Sequence, residues 1–437
     1  MKTKLLLLLL SISLFGYSQD WTVKDSGFTD ESAGINQFYI VDSNVVWATA
    51  YDGSAAGANY QKFTKSTDGG ETWTVGAINL GNAALSISNI CAIDENTAWV
   101  AAYASTAFDR GGIWKTTDGG ATWAKQASAL YNDGASFTNV VHFWDANNGF
   151  CQGDPIGGFY ELYTTTNGGT TWSRIPSASI PAPLTGEYGY VRQIEVVGDR
   201  MWWTTNKGRI YRSDDHGLTF VVYQSPIADF GGAADGTGNG NISFTDENNG
   251  ILVTSANTIF KTIDGGATWQ GVTTSGTFKT GDVSFIPGTQ NVMTVSGATD
   301  AMGSSYSTDA GTTWTEIDND VQHIGVEFAH GLGFTGGFTT ATRTVGGMFK
   351  YSGDLLSTKN NTISTFKAYP NPVKNILTIE GNDTITNVSI FNMLGQKVLE
   401  TTPNQNSTTI NMNSLNSGSY FAKVTINGAT ETMKIIK

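Results

Sequence analysis

Short apolar runs alternate with polar turns along most of the chain, and the same arrangement returns several times. In one stretch the apolar residues 90–93 precede a polar turn at 94–97, and a second apolar run follows at 98–102. Residues 140–143 and 242–244 begin two further copies, each followed by an Asp-x-Asn-Asn-Gly turn and another apolar run. Such segments predict antiparallel β-hairpins. We interpret Asp145 and Asp246 as turn formers, because the full ligand spacing of a calcium loop is absent.

An octapeptide with the pattern S/T-x-D-x-G-x-T-W recurs every 45 to 50 residues, at 66–73, 116–123, 165–172, 213–220, 262–269 and 307–314. The side chain at its third position can accept N–H groups of the same turn, and glycine permits the positive φ that a tight turn needs. The closing aromatic residue carries a large apolar surface into the contact between neighbouring sheets. We therefore predict structural roles for Asp68, Trp73, Asp118, Trp123, Asn167, Trp172, Asp215, Phe220, Asp264, Trp269, Asp309 and Trp314.

The period of this octapeptide predicts a β-propeller with one four-stranded sheet per blade. A degenerate seventh copy follows the sixth, because residues 346–352 repeat the run into the octapeptide that is seen at 111–117. Residues 20–24 look like the strand missing from this copy, so we predict that the N-terminus completes the last blade and removes an open sheet edge. The chain is thus expected to be all-β, with a seven-bladed propeller over residues 19–354.

The octapeptide resembles the Asp-box, or BNR, repeat of sialidases, sortilin-type receptors, some glucanases and photosystem II assembly factors. The plan of each unit, an Asp-x-Asn-x-Gly turn followed by a glycine and then the box, is most similar to the photosystem II assembly-factor type. This resemblance implies a seven-bladed protein-binding scaffold without known catalytic residues. A photosynthetic role is not expected, because the ends of the chain are typical of an exported protein.

Two terminal segments and a linker flank the predicted propeller. Residues 1–18 have the basic start, the apolar centre and the small residues before a cut that are typical of a secretory signal peptide. A Ser/Thr/Asn-rich linker over 355–365 leads to residues 366–437, whose alternating pattern predicts a small antiparallel β-sandwich.

The last segment carries three short motifs: Tyr-Pro-Asn-Pro at 369–372, Asn-Met-Leu-Gly-Gln at 392–396 and Gly-x-Tyr-Phe at 418–421. With these motifs it is similar to the C-terminal sorting domain of the type IX secretion system of Bacteroidetes. The resemblance implies that residues 366–437 have the type IX secretion machinery as their partner. It also implies a secreted or cell-surface location.

Composition and charge serve mainly to exclude classes of protein. The formal net charge of −13 argues against nucleic acid, whose binding needs clustered Lys and Arg. Beyond residue 18 no apolar stretch is long enough to cross a membrane. Cys91 and Cys151 are expected as buried small residues, although the sequence does not decide whether they pair. No Cys/His cluster has metal-site spacing, so we expect neither a metal nor a cofactor.

Candidate functional residues lie in the longer connections on the side of the ring opposite the boxes. Each box is predicted to join the third and fourth strands of a blade, so the second-to-third and blade-to-blade connections lie on the other face, where ligand sites are expected. The candidates for ligand binding are Asp109, Arg110, Asp154, Glu187, Tyr188 and Arg192. Asp154, Glu187 and Arg192 come from successive blades and are expected in one quadrant of this face. The same residue types also serve as ordinary loop hydrogen bonders.

Two functions are compatible with these candidates. The first is a non-catalytic module that binds a glycan or a protein, for which the aromatic side chains of the loops are suited. The alternative is an extracellular glycoside hydrolase, in which Asp154 and Glu187 would flank the scissile bond. A sialidase is disfavoured, because the Arg-Ile-Pro at 174–176 follows the third box instead of preceding the first, and two-propeller glucanases need nearly twice this length. We favour the binding module, and an enzyme is the less expected reading.

Overall fold

Seven four-stranded antiparallel sheets follow one another along the first part of the chain. They are seen in a computed structural model, which describes residues 20–54, 56–104, 110–232, 238–298, 302–339, 347–353, 366–393, 396–426 and 429–437. The chain divides into two units, Met1–Leu356 and Ser357–Lys437, which are described separately.

Each sheet is one blade, and its strands A to D run from the centre of the ring outwards. Blade 1 comprises β2 (Ala33–Ile40), β3 (Val46–Asp52), β4 (Lys62–Ser66) and β5 (Thr74–Ala77). Blade 2 comprises β6 (Leu85–Ala92), β7 (Ala98–Ala104), β8 (Gly112–Thr116) and β9 (Ala124–Lys125). Blade 3 comprises β10 (Thr138–Phe143), β11 (Gly149–Ile156), β12 (Phe159–Thr165) and β13 (Ser173–Arg174). Blades 4 and 5 comprise β14 (Gly189–Val197), β15 (Arg200–Thr205), β16 (Arg209–Ser213) and β17 (Val221–Gln224); and β18 (Gly240–Phe244), β19 (Gly250–Thr254), β20 (Ile259–Thr262) and β21 (Gln270–Val272). Blade 6 comprises β22 (Asp282–Phe285), β23 (Val292–Val295), β24 (Ser304–Ser307) and β25 (Thr315–Asp318), and a short 3₁₀ helix (Ser177–Ser179) lies between blades 3 and 4.

The seventh blade takes its outer strand from the start of the chain. It comprises β26 (Val326–Ala329), β27 (Leu332–Gly336), β28 (Gly347–Tyr351) and β1 (Trp21–Asp25), with Trp21 opposite Tyr351. The indole N–H of the buried Trp21 donates to Ser304 Oγ of blade 6 at 2.9 Å. The predicted seven-bladed propeller and its closure by an N-terminal strand are therefore confirmed.

The middle strands of each blade are buried on both faces, because every blade packs between two neighbours. In blade 1, β3 is buried over its first five residues, whereas the outer strand β5 is largely open to solvent. Aromatic side chains fill the contacts between blades, as where Trp99 stacks on Phe143 of the next blade. Cys91 and Cys151 are free and buried.

A basic residue immediately before the box links most blades to the next one. The ammonium group of Lys115 lies 4.7 Å from the centroid of the Trp99 ring and donates to the Gly168 carbonyl in the box of blade 3 at 2.8 Å. Blades 3 and 6 have Thr164 and Tyr306 at this position. Matching contacts with the box of the following blade are made by four equivalent residues, Lys65, Arg212, Lys261 and Lys350.

Side-chain amides on the inner strands hold the wall of the central channel together. Asn89 Oδ1 accepts the Val141 N–H at 2.8 Å, and its Nδ2 donates to the Val141 carbonyl at 2.9 Å in the next blade. Gln37 makes the same pair of contacts with the backbone of Ile90. These bonds extend the backbone ladder from blade to blade, so the residues that face the channel have fixed positions.

The second unit is a small antiparallel β-domain of six strands, as predicted. They are β29 (Lys367–Tyr369), β30 (Ile376–Phe391), β31 (Lys397–Thr401), β32 (Gln405–Asn411), β33 (Ser419–Ile426) and β34 (Ala429–Ile436). The first half of β30 pairs with β29 and β32 and its second half with β31 and β33, so one long strand serves two parts of the sheet. Asn371, in the Tyr-Pro-Asn-Pro motif, bonds the backbone of Lys434 and Ile436 in the last strand.

Candidate functional site

The Asp boxes use their own carboxylates to build turns between strands C and D. In blade 6 the Asp309 carboxylate accepts the N–H groups of Thr312 and Thr313 at 3.0 and 2.8 Å and the hydroxyls of Ser307 and Thr313, each at 2.8 Å. Burial opposes ionisation, but these hydrogen bonds outweigh it and lower the pKa of Asp309 to about 2. The box carboxylate is thus used in hydrogen bonds within its own turn. A ligand site is therefore expected on the opposite face.

Asp154 stands at the far end of β11, on the face opposite the boxes. Its Oδ1 accepts Asn139 Nδ2 at 2.7 Å and the Gly189 N–H at 3.0 Å, which joins blade 3 to the start of blade 4. Burial raises the pKa of Asp154 to about 6, although both hydrogen bonds favour its ionised form. Asp154 therefore links blade 3 to blade 4 through a hydrogen bond.

Glu187 lies on the same face, in the connection that leads into β14, and is only 4% exposed. Its Oε1 accepts Thr205 Oγ1 at 2.7 Å and Arg209 Nε at 2.9 Å. Its Oε2 accepts the Leu184 N–H at 2.7 Å and a second bond from the Arg209 guanidinium. All these partners belong to blade 4 or its entry loop, so the carboxylate of Glu187 is committed to a buried ion pair.

The remaining loop candidates are spread around the face. Tyr188 is 42% exposed, and its ring lies 5.5 Å from that of Tyr190. Arg110 is exposed on the connection between β7 and β8. Asp109 lies outside the described residues. Neither Tyr188 nor Arg110 lines the cavity at the centre of the ring.

A cavity of about 880 Å³ occupies the centre of the ring and is lined by the inner strands of all seven blades. This volume lies within the range of about 300–1,000 Å³ that is usual for ligand sites. Among the six sequence candidates, Arg192 is the one described residue that lines it, while Asp154 and Glu187 do not. Asp154 and Glu187 turn to partners within the blades and both act electrostatically on Tyr160, whereas Arg192 lines the cavity. The expected grouping of the three residues stays a prediction.

Arg192 lies on β14 at a point where the strand leaves regular pairing. The register with β15 shifts between Gly189 and Ile194, and Arg192 has a φ of 65°. A positive φ is uncommon for a residue with a Cβ and costs about 1–3 kcal/mol. Its guanidinium makes no hydrogen bond or ion pair with any described residue, and the groups that act on it electrostatically are Tyr103, Tyr51 and Asp282.

Four carboxylates that the sequence analysis did not single out also line the cavity: Asp52 at the end of β3, and Glu195, Asp282 and Glu327 on the inner strands. Burial raises the pKa of Asp282 to about 6, against the effect of the Val326 and Val283 N–H groups, which its carboxylate accepts at 3.0 and 2.9 Å. Glu327 is open to water within the cavity but enclosed by the blades. That enclosure, with the charge of Asp282, raises its pKa to about 8.

Two further properties of the described residues bear on the chemistry of the site. No group of three or more His, Cys, Asp and Glu side chains within the described ranges is arranged to hold a metal ion. No helix in the same part of the chain is long and apolar enough to cross a membrane. Among the described residues, the cavity wall carries the guanidinium of Arg192, four carboxylates, the imidazole of His142, and several amides and aromatic rings.

Comparison with known families assigns the two units. Residues 367–437 match the family model of the secretion system C-terminal sorting domain. Residues 108–239 match that of the photosynthesis system II assembly factor YCF48, and residues 208–333 match that of sortilin, neurotensin receptor 3. The chain is thus an Asp-box β-propeller followed by a C-terminal sorting domain. That domain points to type IX secretion and to a place in the medium or at the cell surface.

Solved structures support the propeller fold, whereas no curated protein matches the chain. YCF48 bound to D1 peptide is 15% identical over 78% of this chain and 97% of its own, with a TM-score of 0.52. YCF48 from Cyanidioschyzon merolae is 14% identical over 76% of this chain and 98% of its own, with a TM-score of 0.53. The GH74 xyloglucanase from Xanthomonas campestris is 11% identical over 90% of this chain and 66% of its own. With a TM-score of 0.27, this structure is too different to support any inference about activity.

Proposed function

We propose that the chain is an exported binding module whose ligand, a glycan or a protein segment, enters the central cavity from the face opposite the Asp boxes. The observation that carries this proposal is Arg192, a guanidinium in the cavity wall without a hydrogen-bond partner among the described residues. Tyr51 and Tyr103, at the ends of β3 and β7, line the same part of the cavity. Arginine and tyrosine side chains are common anchors in binding sites.

The energetic cost of this arrangement supports a role in binding. A charged group that is removed from bulk water is unfavourable unless it is paired. Arg192 combines that cost with a strained backbone, and the strand leaves its regular register to place it. A strained backbone of this kind persists only where the surrounding structure holds it in place. Such residues are found preferentially at ligand sites. A ligand that accepts hydrogen bonds from the guanidinium would offset both costs.

The type of ligand is suggested by one propeller of similar fold. A propeller with a TM-score of 0.52 to this chain has been solved with a peptide bound. At 15% identity this likeness concerns the fold, so it supports the idea that such a ring accommodates a peptide and says nothing of which one.

Glycoside hydrolysis is our second proposal, now with different residues. Asp154 and Glu187 are committed to contacts within the fold. Asp282 and Glu327, by contrast, face one cavity, with pKa values raised to about 6 and about 8. Two carboxylates whose environments separate their pKa values are the usual arrangement of a general acid with its partner.

A binding screen with one variant and one control tests the first proposal. The purified chain is applied to glycan and peptide arrays, and the strongest hit is titrated against wild type, Arg192→Gln and Arg110→Gln. Loss of a charge-assisted hydrogen bond, about 1.5–3 kcal/mol, predicts 10- to 100-fold weaker binding for Arg192→Gln. Arg110→Gln, on the same face but outside the cavity, should bind like wild type. Equal affinity of wild type and Arg192→Gln would refute the proposal, and turnover that Glu327→Gln abolishes would favour hydrolysis.

A further inference from the structure

The charges of the central cavity are separated along its axis. β14 and β26 are inner strands that run from the open face towards the box face, where they end at Val197 and Ala329. Glu195 and Glu327 each stand two residues before these ends, and Arg192 stands three residues before Glu195. Three residues of extended chain span at most about 10 Å, so the positive and negative groups are separated by up to about that distance along the strand.

Arg192 and Glu327 lie at different depths of the cavity and do not pair with one another. Neither Arg192 nor Glu327 makes a hydrogen bond or ion pair with any described residue, although both line the same cavity. Asp282 acts electrostatically on both, attracting Arg192 and repelling the ionised form of Glu327. Charged side chains in enclosed sites are normally paired, so these two groups are left for a partner from outside.

We propose that the cavity binds a peptide segment carrying two opposite charges, with a basic group among Glu195, Asp282 and Glu327 and a carboxylate on Arg192. This proposal rests on the proposed function, which makes the cavity the ligand site. In an extended peptide, side chains three residues apart span about 10 Å, which matches the separation along β14.

The rest of the wall favours a peptide over a neutral glycan. A neutral sugar chain would leave the guanidinium of Arg192 without a counter-charge. Amide side chains of Asn36, Gln193 and Asn241 line the cavity between its charged ends, and amides can both donate to and accept from a peptide backbone. A ligand with basic and acidic side chains can therefore pair with more of the charged and hydrogen-bonding groups of the cavity wall than a sugar can.

The binding test uses four blocked hexapeptides on the purified chain. One has Lys and Asp three residues apart, one has only the Lys, one has only the Asp, and one has neither charge. We expect the doubly charged peptide to bind at least about 10-fold more tightly than each of the others, as for one charge-assisted bond per end. Arg192→Gln should remove the advantage of the Asp, and Glu327→Gln should remove the advantage of the Lys.

The outcomes of this test separate the two proposals. Equal binding of all four peptides, weakened by Arg192→Gln, would overturn the charge preference while leaving the cavity as the binding site. Preference for the peptide without charge, or for a neutral glycan, would also overturn it. Absence of any binding by peptides and glycans alike would overturn both proposals.

A measurement without ligand gives an independent check. If Glu327 serves a ligand, its ionised form destabilises the empty protein by repelling Asp282, so Glu327→Gln should raise the Tm at about pH 9, above the pKa of Glu327. Glu316→Gln is the matched control, because Glu316 pairs with Lys279 at 3.2 Å and its loss should lower the Tm. A fall in Tm for Glu327→Gln as large as that of the control would show that Glu327 supports the fold, and would refute its role in binding.

Discussion

The Asp box of blade 6 gives a sharp test of whether these acidic residues build turns or do chemistry. Asp309→Ala removes the acceptor of four hydrogen bonds, from Ser307, Thr312 and both the N–H and the hydroxyl of Thr313. Net contributions of about 0.5–1 kcal/mol each, reduced by the partial exposure of the turn, predict that the free energy of unfolding falls by about 2–3 kcal/mol. Asp309→Asn should cost less than about 1 kcal/mol, because its side-chain oxygen keeps most of these bonds.

Blade 3 already contains the conservative replacement. Asn167 occupies the same position there, with Oδ1 accepting the Thr171 N–H at 2.9 Å and Nδ2 donating to Thr171 Oγ1 at 2.8 Å. Urea unfolding of the purified chain, followed by tryptophan fluorescence, compares wild type with both Asp309 variants, and Asn167→Asp serves as the reverse control. Losses of equal size for Asp309→Ala and Asp309→Asn would mean that the negative charge itself is needed, which contradicts a pure turn role.

Two further predictions concern the contacts between blades and the response to acid. Lys115→Met should lower the free energy of unfolding by about 1–2 kcal/mol, because it loses the bond to Gly168 and the contact with Trp99. Lys207→Met, whose side chain makes no such contact with the described residues, should change the free energy of unfolding little in the same urea assay. Hydrogen bonding lowers the pKa of Asp68, Asp118 and Asp309 to about 2, below the value near 3.8 of an unfolded chain. The unfolded state therefore binds more protons between these values, so stability should fall as the pH drops from about 4 to 2; a urea midpoint that is constant over this range would contradict the assignment.

The architecture was predictable because its signals are local. Each box specifies one turn from a few adjacent residues, and the apolar runs between boxes specify the strands, so seven blades followed from the spacing. The closing strand could also be recognised, since residues 20–24 read as the strand missing from the last repeat. The basic residue before the box, as in Lys115, was overlooked, because a lysine on a short strand looks like a solvated side chain. Its recurrence at the same position of several repeats was the available signal.

The site was less predictable because partners across blades decide it. Asp154 and Glu187 were chosen for their place in long loops. The contacts that occupy them come from Gly189 in the next blade and from Arg209 on a later strand of the same blade, and the sequence alone shows neither proximity. Glu195 and Glu327 lie on inner strands, where a single charged residue in an alternating pattern reads as solvent-facing. Only the closed ring shows that these strands surround a common axis and that their side chains face one another.

The pairing of β1 with β28 also constrains the order in which the chain can reach its final state. Thr22 and Ser352, which contact each other there, are 330 residues apart in sequence. Bringing such distant ends together costs about 5 kcal/mol of chain entropy, so this contact is favourable only after the intervening sheets have formed. As the chain emerges from its N-terminus, β1 has no strand to pair with until β28, which ends at residue 351, is released. The earliest structural segment is thus the last to dock.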